Sequence, residues 1–103
     1  MMTELGASTR RLMLFLAGDS PGSRRARSNL AKVLGDYDLD DSAVTIVNVL
    51  SEPVVALDMS VFATPALIYG ADEAESSLYG DLSDAETLRG FLESIFGARG
   101  QRA

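Results

Sequence analysis

The residues whose types could support chemistry lie in three short segments of the sequence. Three arginines fall within 24–27, acidic residues dominate 36–41, and a polar turn covers 18–21. The 103-residue chain contains no cysteine and no histidine. This excludes a thiol nucleophile, a thiolate metal site, dithiol redox chemistry and the commonest general base. We therefore predict no catalytic residue, no cofactor and no metal site, and hence no enzyme.

The three arginines, Arg24, Arg25 and Arg27, are predicted to lie near the start of a helix. The helix dipole disfavours positive charge there, by roughly 0.3–1 kcal/mol for each side chain. An unfavourable local placement can reflect a function, which here would be a basic patch that meets an acidic partner surface. The alternative is that these arginines pair with acidic residues of the same chain, with Asp19 a candidate. Both interpretations stay open at this point.

The acidic run at 36–41 begins like a calcium-binding loop. Such a loop requires glycine at its sixth position and glutamate at its twelfth. Asp41 and Val47 occupy these two positions. We therefore interpret the run as a solvated acidic loop.

The apolar pattern predicts seven elements around these segments. The continuous apolar run at 12–17 is typical of a strand buried on both faces, and the segment at 44–50, which is rich in β-branched residues, predicts a second buried strand. Helical spacing from Ser23, with Gly35 as the C-terminal cap, predicts the first helix between them. Asn48 is polar within the second strand, and we interpret it as a structural asparagine with satisfied hydrogen bonds. The remaining elements are a short helix from Pro53, strands at 66–69 and 77–79, and a last helix.

The last helix is predicted from a capping box and an apolar stripe. Ser83 and Glu86 make the S-x-x-E capping box at its start. The stripe consists of Leu88, Phe91, Leu92, Ile95 and Phe96. Gly90 lies inside this helix, where glycine costs about 1 kcal/mol relative to alanine. Either close packing of the helix on the sheet or access to a second fold would account for this glycine.

The order of these elements, βαβαββα, predicts an α/β fold in which helices cover both faces of a mixed sheet. The first two strands should be parallel and the last two should form a hairpin. This is the order of a thioredoxin-like fold, which also has a cis proline at the start of its third strand. Ala63, Thr64 and Pro65 match that feature. Where a thioredoxin has its cysteines, this chain has the turn at 18–21, which cannot perform thiol–disulfide exchange.

Composition indicates a single globular domain that spans 1–103, with mobile ends at about 1–9 and 98–103. The net charge of −6 argues against a nucleic-acid partner. No apolar run reaches the roughly 20 residues that cross a bilayer, so we expect no membrane association and a cytoplasmic location.

Four blocks of the sequence resemble the KaiB family of bacterial clock proteins. They are LFLAGDSPGSRRARSNLAKVL at 14–34, VLSEP at 49–53, ATPAL at 63–67 and GDLSD at 80–84. The resemblance implies a protein without enzymatic activity that docks on the N-terminal ATPase ring of a KaiC-like protein and regulates timing. A sensor kinase or a KaiA-like protein would be a further partner, and the free protein could form a dimer or a tetramer.

The resemblance also implies which residues carry these properties. The family docking face and the arginine cluster together predict partner-binding residues, which are Arg24, Arg25, Arg27, Ser51, Glu52, Pro53 and Val54. KaiB proteins are metamorphic, so a KaiB-type alternative fold is implied, in which the second half of the chain is rebuilt. The residues predicted to bear on that switch are Thr64, Pro65, Gly80, Asp81 and Gly90. We expect the free protein to be mainly thioredoxin-like, with Pro65 cis.

Two other functions are kept as alternatives. A thioredoxin-like adaptor in a stress response, outside any clock, would use the same fold. A glutathione-dependent enzyme would use Ser20 and the backbone beside Pro65, although no cysteine or histidine is available to activate a substrate.

Overall fold

The computed structural model describes residues 11–71 and 74–96, which form one sheet and three α-helices. The strands are β1 (Arg11–Leu16), β2 (Thr45–Asn48), β3 (Ala66–Ala71) and β4 (Ala74–Tyr79). The helices are α1 (Pro21–Asp36), α2 (Pro53–Asp58) and α3 (Ala85–Phe96), and a 3₁₀ helix covers Asp41–Ala43. The ends predicted to be mobile lie outside the described residues.

The four strands form a mixed sheet in the order β2-β1-β3-β4. β1 pairs in parallel with β2 and antiparallel with β3, and β3 and β4 form an antiparallel hairpin. The predicted parallel pair and the predicted hairpin are therefore both confirmed. The Thr64–Pro65 peptide bond is cis, as the sequence predicted.

β1 contains a continuous apolar run because helices cover both of its faces. Leu12, Leu14 and Leu16 face a layer formed by α1 and α3, where Leu30 and Leu92 complete the core. Met13 and Phe15 face the opposite side, where α2 packs through residues that include Ala56. The helices thus lie on both faces of the sheet, as predicted.

The prediction that the second strand is buried is wrong for most of β2. Only Val47 is buried, whereas Thr45 and Ile46 are exposed. β2 lies at the edge of the sheet with a neighbour on one side only. The helix layers do not extend far enough to cover it.

Both predicted helix caps also differ from the structure. Gly35 lies within the last turn of α1, and the N–H of Tyr37 caps that turn by donating to the carbonyls of Leu34 and Gly35. At the start of α3 the capping residue is Asp84 rather than Ser83. The Oδ1 atom of Asp84 accepts from the N–H groups of Glu86 (3.1 Å) and Thr87 (3.2 Å).

The predicted capping box of Ser83 and Glu86 does not form. The backbone N–H of Ser83 donates to Asp81 in the preceding turn, and that of Glu86 donates to Asp84. Packing does not account for Gly90 either. A Cβ atom at this position would meet no heavy atom within 4 Å, so close approach of the helix does not require glycine.

Candidate functional site

One end of the sheet brings most of the predicted site residues together. The strand registers pair Leu16 with Asn48, Phe15 with Ala66, and Ala66 with Tyr79. β1, β2 and β4 therefore finish, and β3 begins, at the same end of the sheet. At this end lie the starts of α1 and α2, the segment at 61–65 and the turn after β4. We call it the α1/α2 end.

Asn48 connects the two helix starts at the α1/α2 end. Its side-chain oxygen accepts from the N–H of Gly18 (2.9 Å), before α1, and from the N–H of Leu50 (3.1 Å), before α2. The main chain adds a third link, because the N–H of Val49 donates to the carbonyl of Leu16 (2.8 Å). The interpretation of Asn48 as a satisfied structural asparagine is confirmed.

Two serine hydroxyls shape the start of α1. Ser20 is the N-cap, and its Oγ accepts from the N–H of Ser23 (3.2 Å). The Ser20 hydroxyl donates to Ser23 Oγ (3.0 Å), and the buried Ser23 hydroxyl donates to the carbonyl of Ala17 (3.4 Å). Ser23 Oγ also accepts from the N–H of Ala17 (3.2 Å). Both hydroxyls are thus engaged in holding the turn that leads into α1.

The three arginines of α1 do not form one patch. Arg24 and Arg27 are three positions apart and share a helix face, where they line a groove of about 560 Å³ between α1 and β2. Arg24 lies 3.9 Å from the Asp19 carboxylate, and both side chains are exposed. Among residues 11–71 and 74–96, no carboxylate lies within 4 Å of the Arg27 guanidinium. Helical spacing alone could have separated Arg25 from the other two.

Arg25 instead binds the turn between β4 and α3. Its Nε donates to Asp81 Oδ2 at 2.9 Å, and Asn29 donates from Nδ2 to the Asp81 carbonyl at 2.9 Å. The N–H of Ser83 donates to Asp81 Oδ1. The hydrogen bond from Arg25, followed by those from Ser83, lowers the pKa of Asp81 from its usual value. Asp81 therefore fixes this turn against α1.

The interpretation that the arginines pair with acidic residues of the same chain therefore holds for Arg24, near Asp19, and for Arg25, which binds Asp81. Gly80, beside Asp81, donates its N–H to the carbonyl of Pro65 (3.0 Å) and has a φ of +112°, where glycine is favoured. Thr64, Pro65, Gly80 and Asp81 therefore meet at the α1/α2 end, whereas Gly90 lies in the middle of α3 and is exposed.

The start of α2 is exposed throughout. Ser51, Glu52, Pro53 and Val54 all face solvent, and Glu52 occupies the cap position without a side-chain hydrogen bond to the helix. Leu50, Leu57 and Phe62 are also exposed, at 71%, 64% and 82% of their surface. The sequence pattern missed the exposure of these side chains. Leu50 ends the segment predicted as a buried strand, and an apolar residue of a short amphipathic helix, such as Leu57, is ordinarily assigned to the core.

The acidic run has structural contacts of its own. Asp36, the last residue of α1, accepts a charged hydrogen bond from Arg89 of α3. Asp40 accepts from the N–H and the hydroxyl of Ser42, which lowers the pKa of its carboxyl. Within 11–71 and 74–96, no three acidic side chains are arranged to hold a metal ion. None of the helices in this part of the chain is long and apolar enough to cross a membrane.

Comparison with known proteins shows the family to which this chain belongs. A family model described as the KaiB domain matches residues 13–94. The chain belongs to the KaiB family. Two curated relatives are the circadian clock oscillator proteins KaiB of Prochlorococcus marinus (strain MIT 9312) and Synechococcus sp. (strain RCC307). They are 32% and 35% identical over 85 residues, which cover 82% of this chain and 81% and 77% of the relatives.

Solved structures similar to this KaiB-family chain confirm the thioredoxin-like fold. Mitochondrial thioredoxin 3 from Saccharomyces cerevisiae matches with a TM-score of 0.67 at 17% identity, over 90% of this chain and 89% of that one. The N-terminal domain of Synechococcus elongatus SasA matches with a TM-score of 0.64 at 19% identity, over 84% and 82% of the two chains.

Proposed function

We propose that this KaiB-family protein is a non-enzymatic regulator that docks on a KaiC-like ATPase through the α1/α2 end. Family membership is the observation that carries the proposal, since the curated relatives are circadian clock oscillator proteins. The exposed segment at 51–54 and Arg24 form the proposed contact. Asn48 supports this assignment, because it holds the starts of α1 and α2 together as one surface.

The chemistry of the same end supports a role without catalysis. Thiol–disulfide exchange needs a thiolate, and the chain has no cysteine. Ser20 would be the nucleophile of a glutathione-dependent enzyme, but its hydroxyl is engaged with Ser23. No histidine exists in the chain to deprotonate it. A binding role uses what this end offers, which is an exposed and rigidly held surface.

The proposal extends to competition between partners. The N-terminal domain of the SasA protein has the same fold as this chain. A SasA-like sensor kinase would therefore present a similar end to the ATPase and compete for one site. Capture of a KaiA-like protein, self-association as a dimer or tetramer, a cytoplasmic location and a KaiB-type fold switch belong to the same proposal. A thioredoxin-like adaptor of a stress response would use the same surface with a different partner.

The direct test measures binding to the N-terminal ATPase ring of a KaiC-like protein, encoded in the same genome, by biolayer interferometry. Arg24→Glu should weaken binding severalfold at low salt, and added salt should narrow the difference from the wild type, because ions screen exposed charges. Lys32→Glu is the matched control, since it reverses an exposed positive charge on α1 away from the α1/α2 end.

Absence of ring binding by the wild-type protein would overturn the proposed function, and equal affinity of Arg24→Glu and the control at low salt would remove Arg24 from the contact. Arg25→Glu is a poorer test, because it would also break the hydrogen bond to Asp81. Turnover of a disulfide or of glutathione above background would contradict the non-enzymatic assignment.

A further inference from the structure

Exposed apolar side chains are concentrated around α2. Of the large hydrophobic residues exposed in 11–71 and 74–96, most fall within 50–62: Leu50, Val54, Leu57 and Phe62. Val54 and Leu57 are three positions apart on α2 and share its outward face. We call these four residues the α2 face. Exposed apolar residues concentrated in one segment mark an interaction site more often than scattered ones do.

The outward position of these side chains is fixed by what α2 buries on its other side. Val55, Ala56 and Met59 pack on the sheet against the cluster that contains Phe15. The chain then turns back, because the N–H of Val61 donates to the carbonyl of Ala56 (2.8 Å). Phe62 follows directly and is 82% exposed. The α2 face therefore cannot rotate inward without pulling the buried side of α2 out of the core.

The charged residues of the segment that carries the α2 face all have one sign. Glu52 and Asp58 are the charged residues of 50–62, and they stand at the two ends of α2. Both side chains are exposed, and the segment contains no lysine or arginine. An apolar centre with a charged rim is the usual anatomy of a protein interface, and here the rim is acidic.

We infer that the α2 face binds a partner segment that presents aliphatic side chains flanked by lysine or arginine. The inference rests on the proposed function, in which that segment belongs to the ATPase ring. A second copy of this chain is a poorer occupant, because it would bring Glu52 and Asp58 against the same acidic residues. Like charges opposed across an interface are strongly unfavourable.

The α2 face also fixes the orientation of the partner. Arg24 and Arg27 present positive charge at the α1 side of the α1/α2 end, whereas the α2 side is apolar and acidic. A partner with one acidic region and one basic, aliphatic region can satisfy both sides in one orientation only. Electrostatic complementarity of this kind sets register and excludes incorrect partners.

The first experiment uses two synthetic helical peptides with the same leucine face, one with lysine flanks and one with glutamate flanks. In NMR titrations of the full chain, the lysine-flanked peptide should shift resonances of 50–62 and bind at least about tenfold more tightly. The double variant Val54→Ser/Leu57→Ser should lose that binding with its net charge unchanged. Ile46→Thr is the matched control, because it removes an exposed apolar side chain from β2 instead.

Charge reversal tests the acidic rim separately. Glu52→Lys/Asp58→Lys should invert the preference between the two peptides, since the apolar centre is unaltered. Equal binding of both peptides to the wild-type protein would overturn the inference. So would an unchanged preference in the reversed variant, or unchanged binding after Val54→Ser/Leu57→Ser.

The second experiment separates this inference from the proposed function. The ATPase ring should bind the wild-type protein and Ile46→Thr alike, and bind Val54→Ser/Leu57→Ser at least about tenfold more weakly. If the ring binds the double variant as tightly as the wild type, the α2 face is wrong and docking on the ATPase stands. If the ring does not bind the wild type, the proposed function fails, and the peptide titrations decide the α2 face alone.

Discussion

Replacing Gly90 with alanine should stabilise the thioredoxin-like fold. Gly90 lies in the middle of α3 with ordinary helical backbone angles, and a Cβ there would meet nothing within 4 Å. The substitution therefore adds no clash and removes the backbone entropy that glycine loses on folding. The expected gain is about 1 kcal/mol. In a domain of this size that corresponds to a rise of about 4–8 °C in Tm.

Gly80→Ala is the matched control. The two positions have equal space for a side chain, but only Gly80 has a backbone conformation that a side chain strains. A Cβ at Gly80 would also meet nothing within 4 Å, but its φ of +112° lies where side chains are strained. We expect this variant to lose about 1–3 kcal/mol. Thermal unfolding followed by circular dichroism, together with urea titration, measures both. A Gly90→Ala variant that is no more stable than the wild type would refute the reasoning.

The same variant tests whether Gly90 keeps a second fold accessible. Stabilising α3 favours the state that contains α3, so any second set of NMR resonances should shrink in Gly90→Ala. We expect the free wild-type protein to show mainly thioredoxin-like resonances. A second set that grows on substitution would contradict this role for the glycine.

Three further substitutions test the contacts at the α1/α2 end and at α3. Asn48→Ala removes the acceptor of two backbone N–H groups and should lower the free energy of unfolding by about 1–3 kcal/mol, measured in urea. Asp84→Ala should lower the Tm, whereas Ser83→Ala should leave it nearly unchanged, because Asp84 alone caps α3. Asp81→Asn should flatten the dependence of stability on pH. The pKa of Asp81 is lowered from 3.8 in the folded protein, so its contribution is full above about pH 4 and is lost as the pH falls through the lowered pKa. Equal acid sensitivity of the wild type and Asp81→Asn would contradict this.

The apolar pattern predicted element types well and element surroundings less well. The runs that form β1 and β2 look alike in sequence, yet β1 is buried on both faces and β2 is an edge strand. Periodicity reports the preference of a segment, whereas the position of a strand in the sheet depends on how distant segments pair. The order of the elements was predicted because it depends on local signals along the chain, and the cis state of Pro65 was predicted because that order is the order of a thioredoxin-like fold.

The caps and the arginines show a second limit of sequence reasoning. Ser83 and Asp84 are adjacent and both can cap a helix, so the choice depends on Asp81, which occupies the N–H of Ser83. Arg25 and Asp81 are 56 residues apart in the chain, and only the fold brings them together. The resemblance located the segments of the α1/α2 end, and the structure determines which side chains of those segments are free to meet a partner.

The serine pair at the start of α1 makes the α1/α2 end insensitive to thiol oxidation. Ser20 and Ser23 have the spacing of a C-x-x-C motif at a helix N-terminus, where a thiol would have a lowered pKa and react readily with oxidants. Their hydroxyls make a hydrogen bond at the same position, and a hydrogen bond does not change with the glutathione potential. A thioredoxin forms and breaks a disulfide with the redox state of its surroundings, whereas this end has no thiol that could do so. Under the proposed function, the concentrations and states of its partners set its occupancy, and oxidative stress does not act through thiols of this chain.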